Sequence, residues 1–219
     1  MKTFFWIVVV IIIGFVGYFV YSTQIEVPSV VGSTATTTAT ADLPLIIPGV
    51  PSVKYTDPRY NFDIYYPSTA TVRASGFDGY LPLTQTPVVA FSLNPDMFQG
   101  TNLTEAGVYV GASSTPAIVA GCTSPTPNSG ETEATSSMST NGATFSEFDS
   151  TGAGAGNIYQ EKAFRAVVAG SCLEFVELLH SGNIANYTSG TVTAFDQAQF
   201  SGILDAMLKT LAVSTNPQK

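Results

Sequence analysis

The sequence predicts an α+β protein: an N-terminal transmembrane helix, a stalk, and an antiparallel β-sheet domain covered by a C-terminal amphipathic helix. Three observations carry this. Phe4–Tyr21 runs for eighteen residues without a charge, and at ~1.5 Å rise per residue such a helix covers about 27 Å, enough to cross a bilayer's hydrocarbon. From Lys54 to His180 the chain breaks into runs of β-branched and aromatic residues bounded by Gly, Pro and Asn, the pattern of strands and turns. After Thr193, by contrast, Phe195, Phe200, Ile203, Leu204, Met207, Leu208 and Leu211 largely follow three- and four-residue steps, which gather them on one helix face.

Lys2 and the initiator amine precede the apolar run, and the first charges after it are Glu26 and Asp42. Positive flanks stay inside, so the reading is a single-pass protein with its N-terminus in the cytoplasm and its C-terminal domain extracytoplasmic. A cleaved signal peptide, cut before Thr23, is the rival reading, opposed by the length of the run and its bulky end at Tyr18–Tyr21. Residues 22–52 are rich in Thr, Ser, Ala, Val and Pro. They have too little to bury and read as a stalk reaching up to about 90 Å if extended. Within it Leu43–Val50, LPLIIPGV, is apolar enough to dock on the domain, which occupies 53–219.

In the domain, Asn61–Tyr66 alternates, with Phe62, Ile64 and Tyr66 on one face and Asp63 and Tyr65 on the other. Val88–Leu93 and Gly107–Ser113 form further strands, and Ala117–Cys122 is a short strand or a helical turn. Thr123–Asn141 is polar, carries Pro125, Pro127 and Gly130, and reads as a long surface loop. Ala143–Asp149 restarts the strand pattern, Gly152–Gly156 turns, and Asn157–Val168 and Cys172–His180 make a hairpin about Gly170-Ser171. Thr193 and Asp196 form a capping pair at the start of the closing helix.

The stretches NFDIYYPS (from Asn61), AGAGN (from Ala153), GSCLEFVELLHSGNIANY (from Gly170) and FDQAQFSGILDAMLKTL (from Phe195) together resemble a group of membrane-anchored bacterial envelope proteins with a PsbP/Mog1-like domain. The resemblance spans Tyr55–Val213 and implies an antiparallel sheet between helical layers. That group has no assigned site, so no functional residue is implied.

Composition narrows the function classes. Charged residues make up 11% of the chain and the net charge is −8. Affinity for nucleic acid comes from basic residues displacing counterions, so nucleic acid is excluded as a partner. The membrane contact is assigned to the N-terminal helix alone. Cys122 and Cys172 are the only cysteines. Outside the membrane the simplest reading is one structural disulfide, free thiols being the alternative, and no CxxC spacing suggests redox chemistry.

His180 is the sole histidine. Glu177, three residues earlier, points to the opposite face of a strand, so Glu-x-x-His forms no metal site. TGAGAGN lacks the spacing and following helix of a dinucleotide loop. Asp57 with Asp63, and Glu131 with Glu133, read as solvated surface charge. Tyr55, Tyr60, Tyr65, Tyr66 and Tyr80 cluster around the first strand. As a recognition surface the candidates are Tyr55, Tyr60, Tyr65, Tyr66 and His180; as plain structure, the tyrosines are half-buried sheet aromatics. No catalytic, metal or cofactor cluster is apparent. The expectation is a non-enzymatic binding or accessory module of the cell envelope with an envelope protein partner; the alternatives are an envelope hydrolase with a dispersed site and a small-ligand carrier.

Overall fold

The computed structural model describes residues 44–214. The expected transmembrane helix, its cleavage alternative and most of the stalk lie outside the described residues. Among the described residues no helix is long and apolar enough to cross a membrane.

The domain is built mostly from antiparallel β-structure with two helices. β1 (Ser52–Asp57), β2 (Phe62–Pro67) and β10 (Ala212–Val213) make a three-stranded sheet in the order β1-β2-β10. The larger sheet has seven strands in the order β3-β4-β5-β9-β8-β7-β6. Its members are β3 (Thr71–Arg73), β4 (Pro87–Ser92), β5 (Leu103–Ser113), β6 (Thr132–Ser139), β7 (Thr144–Gly154), β8 (Asn157–Val168) and β9 (Ser171–Gly182). Helix α1 is Pro116–Gly121 and helix α2 is Gln197–Leu208.

The two faces of the large sheet differ in what covers them. On its inner face Phe91, Val108, Val110, Phe164 and Phe175 share one core with Phe62 and Ile64 of the small sheet and with Phe200, Leu204, Met207 and Leu208 of α2. Edge-on aromatic contacts tie the layers, Phe62 to Phe175 at 5.3 Å and Tyr55 to Phe91 at 5.4 Å. On the outer face Ala90, Tyr109, Phe148, Ala163, Val176 and Leu178 pack under Phe77 and Leu81. Central strand β9 is consequently buried on both sides, which is why CLEFVELLH reads as a nearly continuous apolar run.

Several elements differ from the sequence expectation. Thr132–Ser139 is an edge strand paired with β7, not part of a long loop. Its threonines, serines and one glutamate give no apolar alternation, but an edge strand draws its pairing from backbone bonds to one neighbour. β1 and β3 are further short strands that went unread. The glycine stretch forms strand up to Gly154, and the turn is the two-residue loop Ala155-Gly156, both with positive φ (48° and 85°). Ala169-Gly170 repeats that geometry (48° and 79°) between β8 and β9, one residue earlier than expected. Both positive φ values match the hairpin turn that follows the twist of its strands. Helix α2 starts later than Thr193. Asp196 is its N-cap, accepting from Gln199 N at 3.0 Å, whereas Thr193 bridges Thr101.

Ile46 of the apolar stretch before β1 is buried in the inner core, while Leu45 is exposed. Cys122 and Cys172 form a disulfide with their Cα atoms 5.6 Å apart, tying the end of α1 to the start of β9.

Candidate functional site

Strands β8 and β9 carry charge in positions their neighbours fill with apolar groups. Because strand residues alternate faces, Lys162 and Glu177, which are cross-strand partners, both point inward beneath α2. Lys162 Nζ lies 3.3 Å from Asp205 of α2 and 3.9 Å from both Glu147 of β7 and Glu177. Glu177 is 5% exposed, and its Oε1 has no hydrogen-bond partner. Burial raises its carboxyl to about 9, helped by the charge on Asp205 and the hydrogen bond the two acids share, and opposed by Lys162. Glu177 is therefore a protonated acid at neutral pH. Burial pulls Lys162 down, but the surrounding carboxylates outweigh it and hold the ammonium above the usual lysine range.

Of these, Lys162 and Glu177 line a cleft of about 230 Å³ between the β7-β8-β9 surface and the first turns of α2. Gln160 of β8 donates to Gln197 of α2 at 3.2 Å across it. Leu179 and Leu204 supply apolar wall, Ser201 a hydroxyl and Asp149 a further carboxyl, whereas the Glu161 side chain, one residue before Lys162, turns to the outer face. Burial also raises the Glu161 carboxyl, against the hydrogen bond it accepts from Ser150. The arrangement offers a neutral acid beside an ammonium, able to donate to, accept from, or exchange a proton with a small polar guest. Among the described residues no group of three His, Cys, Asp or Glu is placed to hold a metal ion.

A second charged cluster lies on the outer face and is closed. Arg165, fully buried, donates through Nε to Glu174 at 2.8 Å, through NH1 to Ser124 O at 3.3 Å, and through NH2 to Glu131, with its guanidinium over the Phe148 ring. Glu174 also accepts from Leu83 N, Thr84 N and Thr84 Oγ1. The network pins the segments around Leu83 and Glu131 to the sheet. Glu131, read as surface charge, has its side chain buried, 2% exposed. Asp57 is buried too, accepting from Arg59 N, Tyr60 N and Tyr55 Oη. Backbone donors in the adjoining turn drew it inward.

The five residues expected to form a recognition surface are divided by the fold, the tyrosines lying on the small sheet and its turn and His180 on the outer face of the large one. Tyr55, Tyr60, Tyr65 and Tyr66 pack half-buried against the inner core, with Tyr66 4.9 Å from Phe91 and Tyr60 beneath Arg59. Burial, followed by Asp57, raises Tyr55 to about 12. His180 lies on the outer face, stacked on Tyr159 at 4.3 Å, with Nε2 3.1 Å from Asn157 Oδ1. Tyr80 also belongs there, donating to Glu105 at 2.8 Å beside Tyr109, which donates to the same carboxylate at 2.6 Å. Burial and these bonds raise Tyr80 to about 12 and raise Tyr109 as well.

Sequence reasoning missed Lys162 and Asp205 and discarded Glu177 with the metal motif. The signal was present. Charges inside NIYQEKAFRAVV and CLEFVELLH, strands otherwise apolar enough to be central, mark buried ionic positions.

No family model matches the chain, and no curated protein matches it. Among solved structures it is similar to a protein from Bacteroides thetaiotaomicron VPI-5482, at 13% identity and a TM-score of 0.42, over 76% of this chain and 50% of that one. The chain thus spans about half the length of that protein. A likeness of this size assigns neither fold nor function.

Proposed function

We propose that this chain is a membrane-tethered extracytoplasmic domain, non-enzymatic, that binds a small polar ligand in the cleft beneath α2. The carrying observation is the pair Lys162 and Glu177, a half-buried ammonium and a buried acid side by side on the lining of one cleft. Ionisable groups shifted by burial and by charged neighbours, gathered in a cleft, mark binding sites.

The tether and topology rest on the uncharged run Phe4–Tyr21 behind Lys2. An extracytoplasmic, oxidising location is supported by the buried Cys122–Cys172 disulfide, since such bonds are rare in reducing compartments. The antiparallel sheet with α2 across one face is compatible with a PsbP/Mog1-like domain, a relationship proposed on the sequence resemblance. A second reading, recognition of an envelope protein partner, is favoured by the four half-buried tyrosines grouped on the small sheet and its turn.

Native mass spectrometry of the full chain, extracted from its host membrane in mild detergent, tests the cleft reading. A small bound mass, depleted in Ser201→Trp, which fills the cleft, is the expected result. Bare chain in wild type and variant alike, with a control complex surviving the same conditions, would refute it.

A further inference from the structure

The turn between β6 and β7 is Asn141-Gly142, the one Asn-Gly step in the chain. Thr140 N donates to Ala143 O at 2.9 Å across it and closes a two-residue hairpin loop. Asn141 is exposed, and among the described residues neither its side-chain amide nor Gly142 N has a hydrogen-bond partner. The Asn141 backbone, by contrast, is engaged. Its carbonyl accepts from Val213 N at 3.0 Å, and Asn141 forms a parallel bridge with Ala212. The turn of the large sheet therefore holds one side of β10, whose other side pairs with Phe62 and Asp63 of β2.

An asparagine side chain lies within reach of the next backbone nitrogen, and ring closure between them has the advantage of proximity. Glycine in the following position has no Cβ to block the approach. Gly142 N attacks Asn141 Cγ: the N–Cγ bond forms, the Cγ–Nδ2 bond breaks, and the amide hydrogen leaves with the NH2 group as ammonia. Water then opens the cyclic imide. Opening at Cγ gives aspartate, and opening at the backbone carbonyl carbon gives isoaspartate, in which the main chain runs through Cβ and Cγ. Attack requires the Asn141 carbonyl to turn away from Val213. β10 is two residues long, the kind of element that opens locally at low cost.

We propose that Asn141 is a site of spontaneous deamidation and that its isoaspartyl product releases β10 from the β6-β7 turn. Isoaspartate adds one carbon to the backbone at a place with no slack, because Gly142 sits so close to Val213 that an added Cβ would collide with the Val213 carbonyl. The carbonyl that accepted from Val213 N becomes a pendant carboxylate. That new charge stands in a recess already lined by Asp57 and Asp63, so repulsion adds to the lost register.

The test holds the full chain in detergent, warm and at neutral pH, and follows it by peptide mapping, isoaspartyl methyltransferase labelling and amide hydrogen exchange. Asn141 is expected to convert at least severalfold faster than every other asparagine, with isoaspartate among the products. Protection of the Val213 and Ser214 amides is expected to be lost in step with it. Asn141→Gln, which disfavours the five-membered ring, abolishes both changes. Asn141→Asp carries the charge without the longer backbone and keeps most of the protection. An Asn141 that stays intact in the folded chain while the same incubation in urea converts it overturns the site. Isoaspartate at 141 with Val213 and Ser214 as protected as before overturns the release of β10.

Discussion

Glu177→Gln should change how stability depends on pH. In the folded protein burial holds the Glu177 carboxyl at about 9, against an ordinary value of 4.5. Between those values the native state keeps a proton that the unfolded chain has released, so stability falls as pH rises. The contribution is complete below about 4.5 and erodes steadily above it. One proton over roughly 2.5 pH units, at ~1.4 kcal/mol per unit, costs about 3 kcal/mol by neutral pH. Glutamine keeps the shape and cannot ionise, so the variant escapes this loss while sharing every other titration. Urea unfolding of both proteins across pH 4.5 to 7, followed by far-ultraviolet circular dichroism, reads the difference directly. The gap in favour of the variant should widen by about 3 kcal/mol over that range. Parallel stability profiles would refute the reasoning, because Glu177 would then ionise alike in folded and unfolded chains.

The remaining predictions concern the scaffold. Arg165→Met strands the buried Glu131 and Glu174 carboxylates and should cost ~3–5 kcal/mol in urea unfolding; adding Glu131→Gln should return part of that, and strictly additive losses would contradict the network. Reducing Cys122–Cys172, separated by 50 residues, should cost about 4 kcal/mol by chain entropy, read as a lower urea midpoint. Gly142→Ala should destabilise by ~1–3 kcal/mol in thermal unfolding, since Gly142 has φ +114° and an added Cβ would collide with the Val213 carbonyl. Truncation at Ala194 removes α2 and β10 and uncovers the inner core; insoluble protein is expected, and a soluble monomer would count against it.

Much of the fold was legible because it is written in local patterns. The alternation of Phe62, Ile64 and Tyr66, the long runs of β8 and β9, and the stripe from Phe200 to Leu208 each announce one element and the face it buries. β6 was not legible, because Thr132–Ser139 pairs through its backbone at a sheet edge and buries little that a pattern would reveal. The turn Ala169-Gly170 was displaced by one residue because glycine marks the second position of such a loop as readily as the first. The site was harder to see. Lys162 and Asp205 are 43 residues apart, and only the packing of α2 on β8 and β9 joins them. His180 and the tyrosines illustrate the converse. They are distinctive residue types, but the fold sends His180 to the outer face and Tyr55, Tyr60, Tyr65 and Tyr66 against the inner core.

The account turns on the state of one carboxyl group. Carbon-detected nuclear magnetic resonance of the Glu177 side chain, titrated from acid to alkaline pH, measures it directly. The account predicts a carboxyl still protonated at neutral pH. An ionised Glu177 at neutral pH would contradict it.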